Sequence, residues 1–456
     1  MEINKYIFRE YDIRGKVTED FPAEVVESLG KGFGTFVKRS GGKEISLSGD
    51  IRLTSPDLIK HFKKGVMSTG VDVINIGILP TPANYFSMFH LEVAGAVQIT
   101  GSHNPPEFNG FKMSLERKAV YGNSIQDIRK IIEKQDFETG EGIEAGYKIL
   151  NKYRRMIVDK INITNPLKVV LDCGNAAGAL IAPQIFRELG LNLTELYCTV
   201  DGTFPNHHPD PTVKENLKDL IQIMEQGQHD IGIAFDGDAD RIGIVDETGD
   251  IIWADQLMAL FLPEIVRPGD DILFDVKCSQ ALEDMIIKYG GKPVMWKTGH
   301  SLIKQKMSEL GCRFGGEMSG HIFFADDYYG YDDAIYVAAR IVQTLSNSGK
   351  KLSELKAEIP RYYSTPEMRL GTESDEEKFR IAEAAADYFK ANYDCVTVDG
   401  VRIKFGYGWG LVRASNTQPV IVCRFEADTE KHMKEIQELV LSKLKSFGNL
   451  ELEAGH

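Results

Sequence analysis

The sequence predicts an α/β fold: three related α/β domains with mixed, mainly parallel sheets, followed by a C-terminal α+β domain, set around a central cleft. Three observations predict it. A strand pattern ending in Asp, a loop, a helical pattern and a second strand occur in that order three times. The Asp recurs at positions 50, 172 and 275, so the unit repeats about every hundred residues. Beyond the third unit the order changes to one helical stretch, several strand patterns and a closing amphipathic helix.

The first unit reads EISLSGD (44–50), a helix near SPDLIKHFKKGVMSTG and the strand VDVINIG. The second reads KVVLDCGN (168–175), a helix near APQIFRELG and LNLTELYC. The third reads DILFDVKCS (271–279), a helix near ALEDMIIKYGG and KPVMW. Strand–helix–strand alternation of this kind builds crossovers in a parallel sheet. In the last part DEEKFRIAEAAADYFKAN (375–392) reads as a helix, VTVDGVRIKF, GLVRAS and PVIVCRFEA as strands, and Thr429 to Phe447 as an amphipathic helix. The expected domains are 1–150, 151–254, 255–366 and 367–456.

Composition narrows the function classes. Of the 456 residues 43% are hydrophobic and 26% charged, the proportions of a globular chain with ample core. Acidic residues outnumber basic ones 67 to 53, for a net charge of −14. Such a surface repels nucleic acid and anionic lipid, and no basic run offsets it. The six cysteines stand singly, without a CxxC pair, which speaks against a disulfide framework or a zinc site and fits a reducing compartment. MEINKYIFREYDIRG has no apolar signal-like core and no stretch of 18 apolar residues follows, so a cytoplasmic location is expected.

VQITGSHNPPEFNGFK (97–112) runs a strand into a loop carrying Gly101, Ser102, His103 and Asn104 before two prolines. In open α/β sheets such loops beyond the carboxyl ends of strands form the ligand crevice. Ser102 presented there can be a nucleophile, and the loop is also compatible with an ordinary polar turn. It is not a G-x-S-x-G elbow, and His103, as the sequence neighbour, is expected to point away from the serine, so a serine hydrolase fits poorly.

HDIGIAFDGDADRIGIVDETGD (229–250) places Asp236, Asp238 and Asp240 between two strands. Three carboxylates at alternate positions of a tight loop can converge on a hard cation such as Mg²⁺, and without one they repel. An EF-hand is excluded, because its sixth position is Arg241 rather than Gly and strands flank the loop. An aspartyl-phosphate centre of the haloacid dehalogenase type has Thr or Val where this chain has Asp240, which favours metal binding. Arg241 can face a phosphoryl group in transfer, or equally pair with the neighbouring aspartates.

Two further loops are rich in polar groups. GGEMSGH (315–321) sets Glu317, Ser319 and His321 between glycines, suited to reading sugar hydroxyls but compatible with a glycine-rich turn. RASNTQP (413–419) offers Arg413, Ser415, Asn416 and Thr417, a set able to cradle a phosphate or to form an Asn-bearing turn. One such loop falls in each expected domain, and a ligand touching all four would sit in a central cleft.

TGSHNPP, DGDxDR, GEMSGH and RASNT, in this order, together with FREYDIRG, DGTFPNHHPDP, FDVKCS and KTGHS, resemble the signature loops of the α-D-phosphohexomutase superfamily, within it the bacterial phosphomannomutase/phosphoglucomutase group. The resemblance covers essentially the whole chain. It implies that Ser102 is a phosphoserine and that Asp236, Asp238 and Asp240 hold Mg²⁺ together with an oxygen of that group. It further implies that Arg14, Lys112 and Arg241 surround the transferring phosphoryl group. Tyr11, Lys277 and His300 match ligand-contacting positions, Glu317 and Ser319 the readers of sugar hydroxyls, and Arg413, Ser415, Asn416 and Thr417 the phosphate grip. The implied reaction interconverts hexose 1-phosphate and hexose 6-phosphate through a hexose 1,6-bisphosphate. The partner is then a small phosphosugar, with no nucleic acid and no membrane; oligomeric state is left open. Ala239 stands where many members have Gly, a change that removes no ligand. Three other readings compete: a glucosamine-phosphate mutase, whose GEQSGH differs at Met318; an aspartyl-phosphate enzyme using Asp236; and a silent phosphosugar-binding protein, for which a nucleophile and a metal site are superfluous.

Overall fold

The computed structural model describes residues 3–415 and 420–452. The chain forms two compact units: Met1–Ala254 with Ser319–Phe324 and Tyr329–Leu355, and Asp255–Met318 with Ala325–Tyr328 and Lys356–His456. None of the described helices is long and apolar enough to cross a membrane.

The first unit holds two sheets. In one, Glu44–Gly49 lies between Asp72–Ile78 and Gly95–Ile99, parallel to both. Phe108–Leu115 then returns antiparallel against Gly95–Ile99, and Ile13–Lys16 adds to its far side. The sheet's central strands are buried, and helices Ala23–Arg39 and Ser55–Met67 pack with it around Phe33, Phe62 and Phe111. In the second sheet Lys168–Asp172 lies parallel to Asn192–Leu196 and to Ile231–Phe235. Ile231–Phe235 turns back antiparallel into Ile242–Asp246, and the tight reversal between them carries the three aspartates.

In the second unit Asp271–Asp275 is parallel to Lys292–Trp296 on one side and to Phe314–Gly316 on the other. A separate antiparallel sheet follows Val401–Phe405, Gly408–Ala414, Val420–Ala427 and Met368–Gly371. Its core is covered by helices Asp375–Asn392 and Glu430–Lys445, whose starts are capped by the hydroxyls of Ser374 and Thr429.

All three expected crossovers are present: in each, the strand after the helix lies beside the first and parallel to it. One expected strand is divided. VTVDGVRIKF folds as a hairpin of Cys395–Val396 against Val401–Phe405. Its turn contains Asp399-Gly400, and Gly400 takes a left-handed φ of 71°. Asp-Gly dipeptides turn strands back on themselves for this reason.

Candidate active site

The serine loop leaves the strand Gly95–Ile99 and folds over a buried cation. Arg52, 1% exposed, donates to the carbonyls of Ser102 (2.8 Å), Asn104 (2.6 Å), Pro105 (2.6 Å) and Phe108 (3.1 Å). Its Nε meets Asp50, the carboxylate that also accepts from Thr100 Oγ1 and Gly101 N–H. The Asp that ends the first repeat is thus an anchor for the loop beside it. Ser102 itself is 2% exposed with a left-handed φ of 49°, a conformation that costs a non-glycine residue about 1 kcal/mol or more.

That backbone turns Ser102 Oγ toward two neighbours, 3.0 Å from Asp236 Oδ2 and 3.1 Å from His103 Nδ1. The adjacent serine and histidine therefore converge rather than diverge. Burial, with Arg241, Arg14, Lys112 and His321 nearby, holds His103 well below its usual range, hence neutral.

The three aspartates are fully buried, and one carboxylate oxygen from each lies within 4.8 Å of the others. Asp236 Oδ1 accepts from the amides of Asp240 (3.0 Å) and Arg241 (3.1 Å). Asp238 Oδ2 accepts from Thr81 Oγ1 (2.5 Å) and Lys112 Nζ (2.8 Å), and Asp240 Oδ2 from the same ammonium (2.5 Å). The second oxygens, Asp238 Oδ1 and Asp240 Oδ1, are buried and take no hydrogen bond from the described residues. Buried carboxylate oxygens normally have partners. Two left over at the centre of an all-oxygen set fit a hard divalent cation. Burial, with Asp240 and Asp238 close by, pushes Asp236 well above the ordinary carboxylate range. Burial acts the same way on Asp238, but Lys112 and Thr81 outweigh it and hold that carboxyl low.

The loop's backbone is as constrained as its charges. A Cβ on Gly237 would stand 2.2 Å from the carbonyl oxygen of Ser102, so only glycine lets the two loops meet. Ala239 has φ 60°, which explains why glycine suits this position; alanine tolerates it at some cost.

Arg241 Nε donates to His321 Nε2 (2.9 Å), and His321 Nδ1 lies 2.9 Å from Asp332 Oδ2 and 3.7 Å from Asp240 Oδ1. Asp240, His321 and Asp332 form a second group with metal-binding spacing. Asp240 belongs to both groups; in the second the imidazole Nε2 already accepts from Arg241, whereas the triad is all carboxylate, so the triad suits a hard cation better. Arg14 pairs with Asp12 at 2.5 Å on the strand Ile13–Lys16, and Tyr11 is half-buried just before it. Ser319 is half-buried beside Gly320, whose carbonyl accepts from the Ile242 amide.

The second unit gathers a different set. Lys277 Nζ is 3.2 Å from Glu367 Oε2, and burial of this lysine is outweighed by Glu367 and Asp275, which raise its pKa. Glu317, 1% exposed, accepts from the Gly299 amide at the start of helix His300–Leu310. Asp399 accepts from Thr298 N–H (3.1 Å) and from Arg413 Nε (3.0 Å), tying the KTGHS loop to the strand that carries Arg413. Ser415 is buried with its amide on the Val420 carbonyl. Asn416 and Thr417 lie outside the described residues. Both Arg413 and Glu317 act electrostatically on Lys277, so these three side chains share one neighbourhood.

Thr81, Arg52, Asp332, Glu367 and Asp399 were not singled out by the sequence. Asp399, in a Gly-bearing turn, left a turn signal only, and the other four sit in segments without a distinctive local pattern.

The fold and this site define a phosphosugar mutase architecture. Family models match in four pieces: phosphoglucomutase/phosphomannomutase α/β/α domain I at residues 5–139, domain II at 151–249, domain III at 253–363 and the C-terminal domain at 370–443. The phosphomannomutase/phosphoglucomutase of Pseudomonas aeruginosa is 45% identical over 445 residues, 96% of each chain. A phosphoglucomutase of Neisseria meningitidis is 39% identical over 454 residues, 98% of each. The crystal structure of a phosphoglucomutase/phosphomannomutase family protein from Burkholderia thailandensis superposes with a TM-score of 0.92 at 40% identity, covering 98% of this chain and all of the other. The chain belongs to the phosphoglucomutase/phosphomannomutase family.

Proposed function

We propose that this chain is a phosphohexomutase, an isomerase that interconverts hexose 1-phosphate and hexose 6-phosphate through phosphorylated Ser102 and a hexose 1,6-bisphosphate. The observation that carries the reading is the buried contact of Ser102 Oγ with Asp236 Oδ2, at 3.0 Å, in a loop whose other two aspartates keep unpartnered oxygens. A serine hydrolase needs no such carboxylates, and a binding protein needs no nucleophile.

In the forward half-reaction the phosphoryl group leaves Ser102 Oγ for the free hydroxyl of the monophosphate. The Ser102–phosphorus bond breaks as the sugar-oxygen–phosphorus bond forms, and the proton of the sugar hydroxyl ends on Ser102 Oγ. In the return half-reaction Ser102 Oγ takes the other phosphoryl group from the bisphosphate. His103, neutral and 3.1 Å from Oγ, can accept the serine proton in that step, and the departing sugar oxygen takes up a proton in exchange. Mg²⁺ held by Asp236, Asp238, Asp240 and a phosphoserine oxygen would offset charge on the transferring group. Lys112, fixed by Asp238 and Asp240, would add a positive charge, as would Arg14 and Arg241. His321 and Asp332 would orient Arg241.

A further set of residues would hold the substrate. Arg413 and Ser415, with Asn416 and Thr417, would grip the phosphate that does not react, and Lys277 and His300 would add charge and hydrogen bonds. Glu317 and Ser319 would read hydroxyls common to both orientations of the sugar, with Tyr11 as a further contact. Division into domains at 1–150, 151–254, 255–366 and 367–456 belongs to the same reading and is supported by the four family-model matches.

The test is turnover of mannose 1-phosphate and of glucose 1-phosphate with Mg²⁺ and a trace of the matching 1,6-bisphosphate. Conversion of both to 6-phosphates is expected, with no turnover in Ser102→Ala. Full activity in Ser102→Ala would sink the phosphoserine mechanism. Activity confined to glucosamine phosphate would reassign the substrate.

A further inference from the structure

Cys173 and Cys198 stand singly in the sequence, 25 residues apart, yet their sulfurs lie 3.3 Å from each other. Cys173 follows the strand Lys168–Asp172 and Cys198 follows its parallel neighbour Asn192–Leu196, so the crossover brings the two loops side by side. Cys173 is fully buried; Cys198 is half-buried and also rests on the carbonyls of Leu171 and Leu196. We propose that Cys173 and Cys198 are a redox modification site, closing to an intramolecular disulfide when the chain meets a low-molecular-weight disulfide of the glutathione class.

The sulfurs need to approach by only about 1.2 Å to reach bonding distance. The partly exposed Cys198 is the thiol an oxidant can reach. As its thiolate it attacks RSSR, forming a mixed disulfide and releasing one RS⁻. Cys173 then gives up its proton and displaces the second RS⁻. Two electrons and two protons leave the protein and appear in two molecules of RSH. Burial, with Cys198 alongside, pushes the Cys173 thiol well up, so it resists direct attack and serves as the resolving group.

The bond would reach the site through the backbone. The Cys173 amide donates to Leu196 and the Asn175 amide to Tyr197, and Gly174 and Asn175 both take left-handed φ values (53° and 59°), so the loop has little room to adjust. Two residues on, the Ala177 amide donates to the carbonyl of Gly237 (3.2 Å), inside the aspartate loop. Asp172, just before Cys173, holds the ring of His207, and the adjacent His208 meets the carbonyl of His103, next to Ser102. A pull on Cys173 therefore acts on both loops that form the phosphoryl site.

The experiment treats the full chain with oxidised glutathione, digests it without reductant and measures turnover in parallel. A Cys173–Cys198 cross-linked peptide, lighter by about 2 Da than the sum of its parts, is expected with a turnover loss of roughly tenfold or more. Dithiothreitol should reverse both. Cys198→Ser should keep its basal turnover and lose neither mass nor activity on oxidation, and Cys173→Ala is the second variant. Absence of the cross-linked peptide overturns the proposal, as does a cross-link that leaves turnover unchanged, or equal inactivation of Cys198→Ser. The activity arm rests on the mutase reading and the covalent arm does not: a cross-link in protein inactive even when reduced would support the site and sink the function instead.

Discussion

The Arg52 guanidinium carries more of the serine loop than any residue within it. Four carbonyls of residues 102–108 converge on one planar fork, and Asp50 balances its charge. Arg52→Met would leave those carbonyls and Asp50 buried without their donor. Removing one partner of a buried ionic network costs about 3–5 kcal/mol. The expected outcome is a loss of that size in urea unfolding, and in whatever protein folds a kcat reduced more than KM is raised, because the serine is misplaced. Arg52→Lys should recover only part, since an ammonium cannot serve four carbonyls in a plane. Full kcat in Arg52→Met would show that the loop holds its strained serine unaided. Ser102 and the three aspartates were legible because short loops announce them: Gly and Pro around a hydroxyl, carboxylates at alternate positions. Arg52 was not, because the carbonyls it serves lie about fifty residues away and leave no mark of their own near it. Thr81 and Asp332 escaped for the same reason.

Strands and helices were the most legible level, and the three repeated Asp residues show how far that goes. Each ends or follows the first strand of its crossover, as expected, and each is buried. Their tasks differ: Asp50 binds Arg52, Asp172 binds His207, and Asp275 accepts from Thr298 Oγ1 and the Met318 amide. Periodicity located the strand ends and could not reveal what each carboxylate would meet. The ion pair of Lys277 with Glu367 joins two such element ends, the loop after Asp271–Asp275 and the segment before Met368–Gly371. Lys277 holds Glu367 down to about 2 from an ordinary 4.5, against the opposing effect of burial. A depressed carboxylate contributes stability that is fully present above 4.5 and lost as pH falls toward about 2. Glu367→Gln should therefore lower stability at neutral pH by on the order of 2 kcal/mol, allowing for solvent around a partly exposed pair, and flatten the acid limb of the stability–pH curve. Parallel curves for the two proteins between pH 5 and pH 2 would rule the pair out as a source of acid sensitivity.

At the scale of the whole molecule the two units differ in what they lack. The second balances its buried charges internally, Lys277 with Glu367 and Arg413 with Asp399. The first gathers three fully buried aspartates around one buried ammonium, and two of their oxygens take no hydrogen bond from the described residues. Like charges at such range raise the free energy of the folded unit, and a divalent cation relieves it. Anything that binds the folded state alone stabilises it by about 2.7 kcal/mol at a hundredfold excess over Kd. Mg²⁺ should therefore stabilise the chain in the absence of any sugar, and the gain should be local. In hydrogen exchange, amides of Ile231–Phe235 and Ile242–Asp246 should slow on adding Mg²⁺ and recover with EDTA, while those of Val401–Phe405 and Val420–Ala427 stay unchanged. Asp236→Asn should abolish the response and, because burial, Asp240 and Asp238 all disfavour a charge on Asp236, leave the metal-free protein at least as stable as the wild type lacking metal. Equal slowing in both sets of strands, or none in either, would mean that the aspartate loop is not where the cation's binding energy enters the fold.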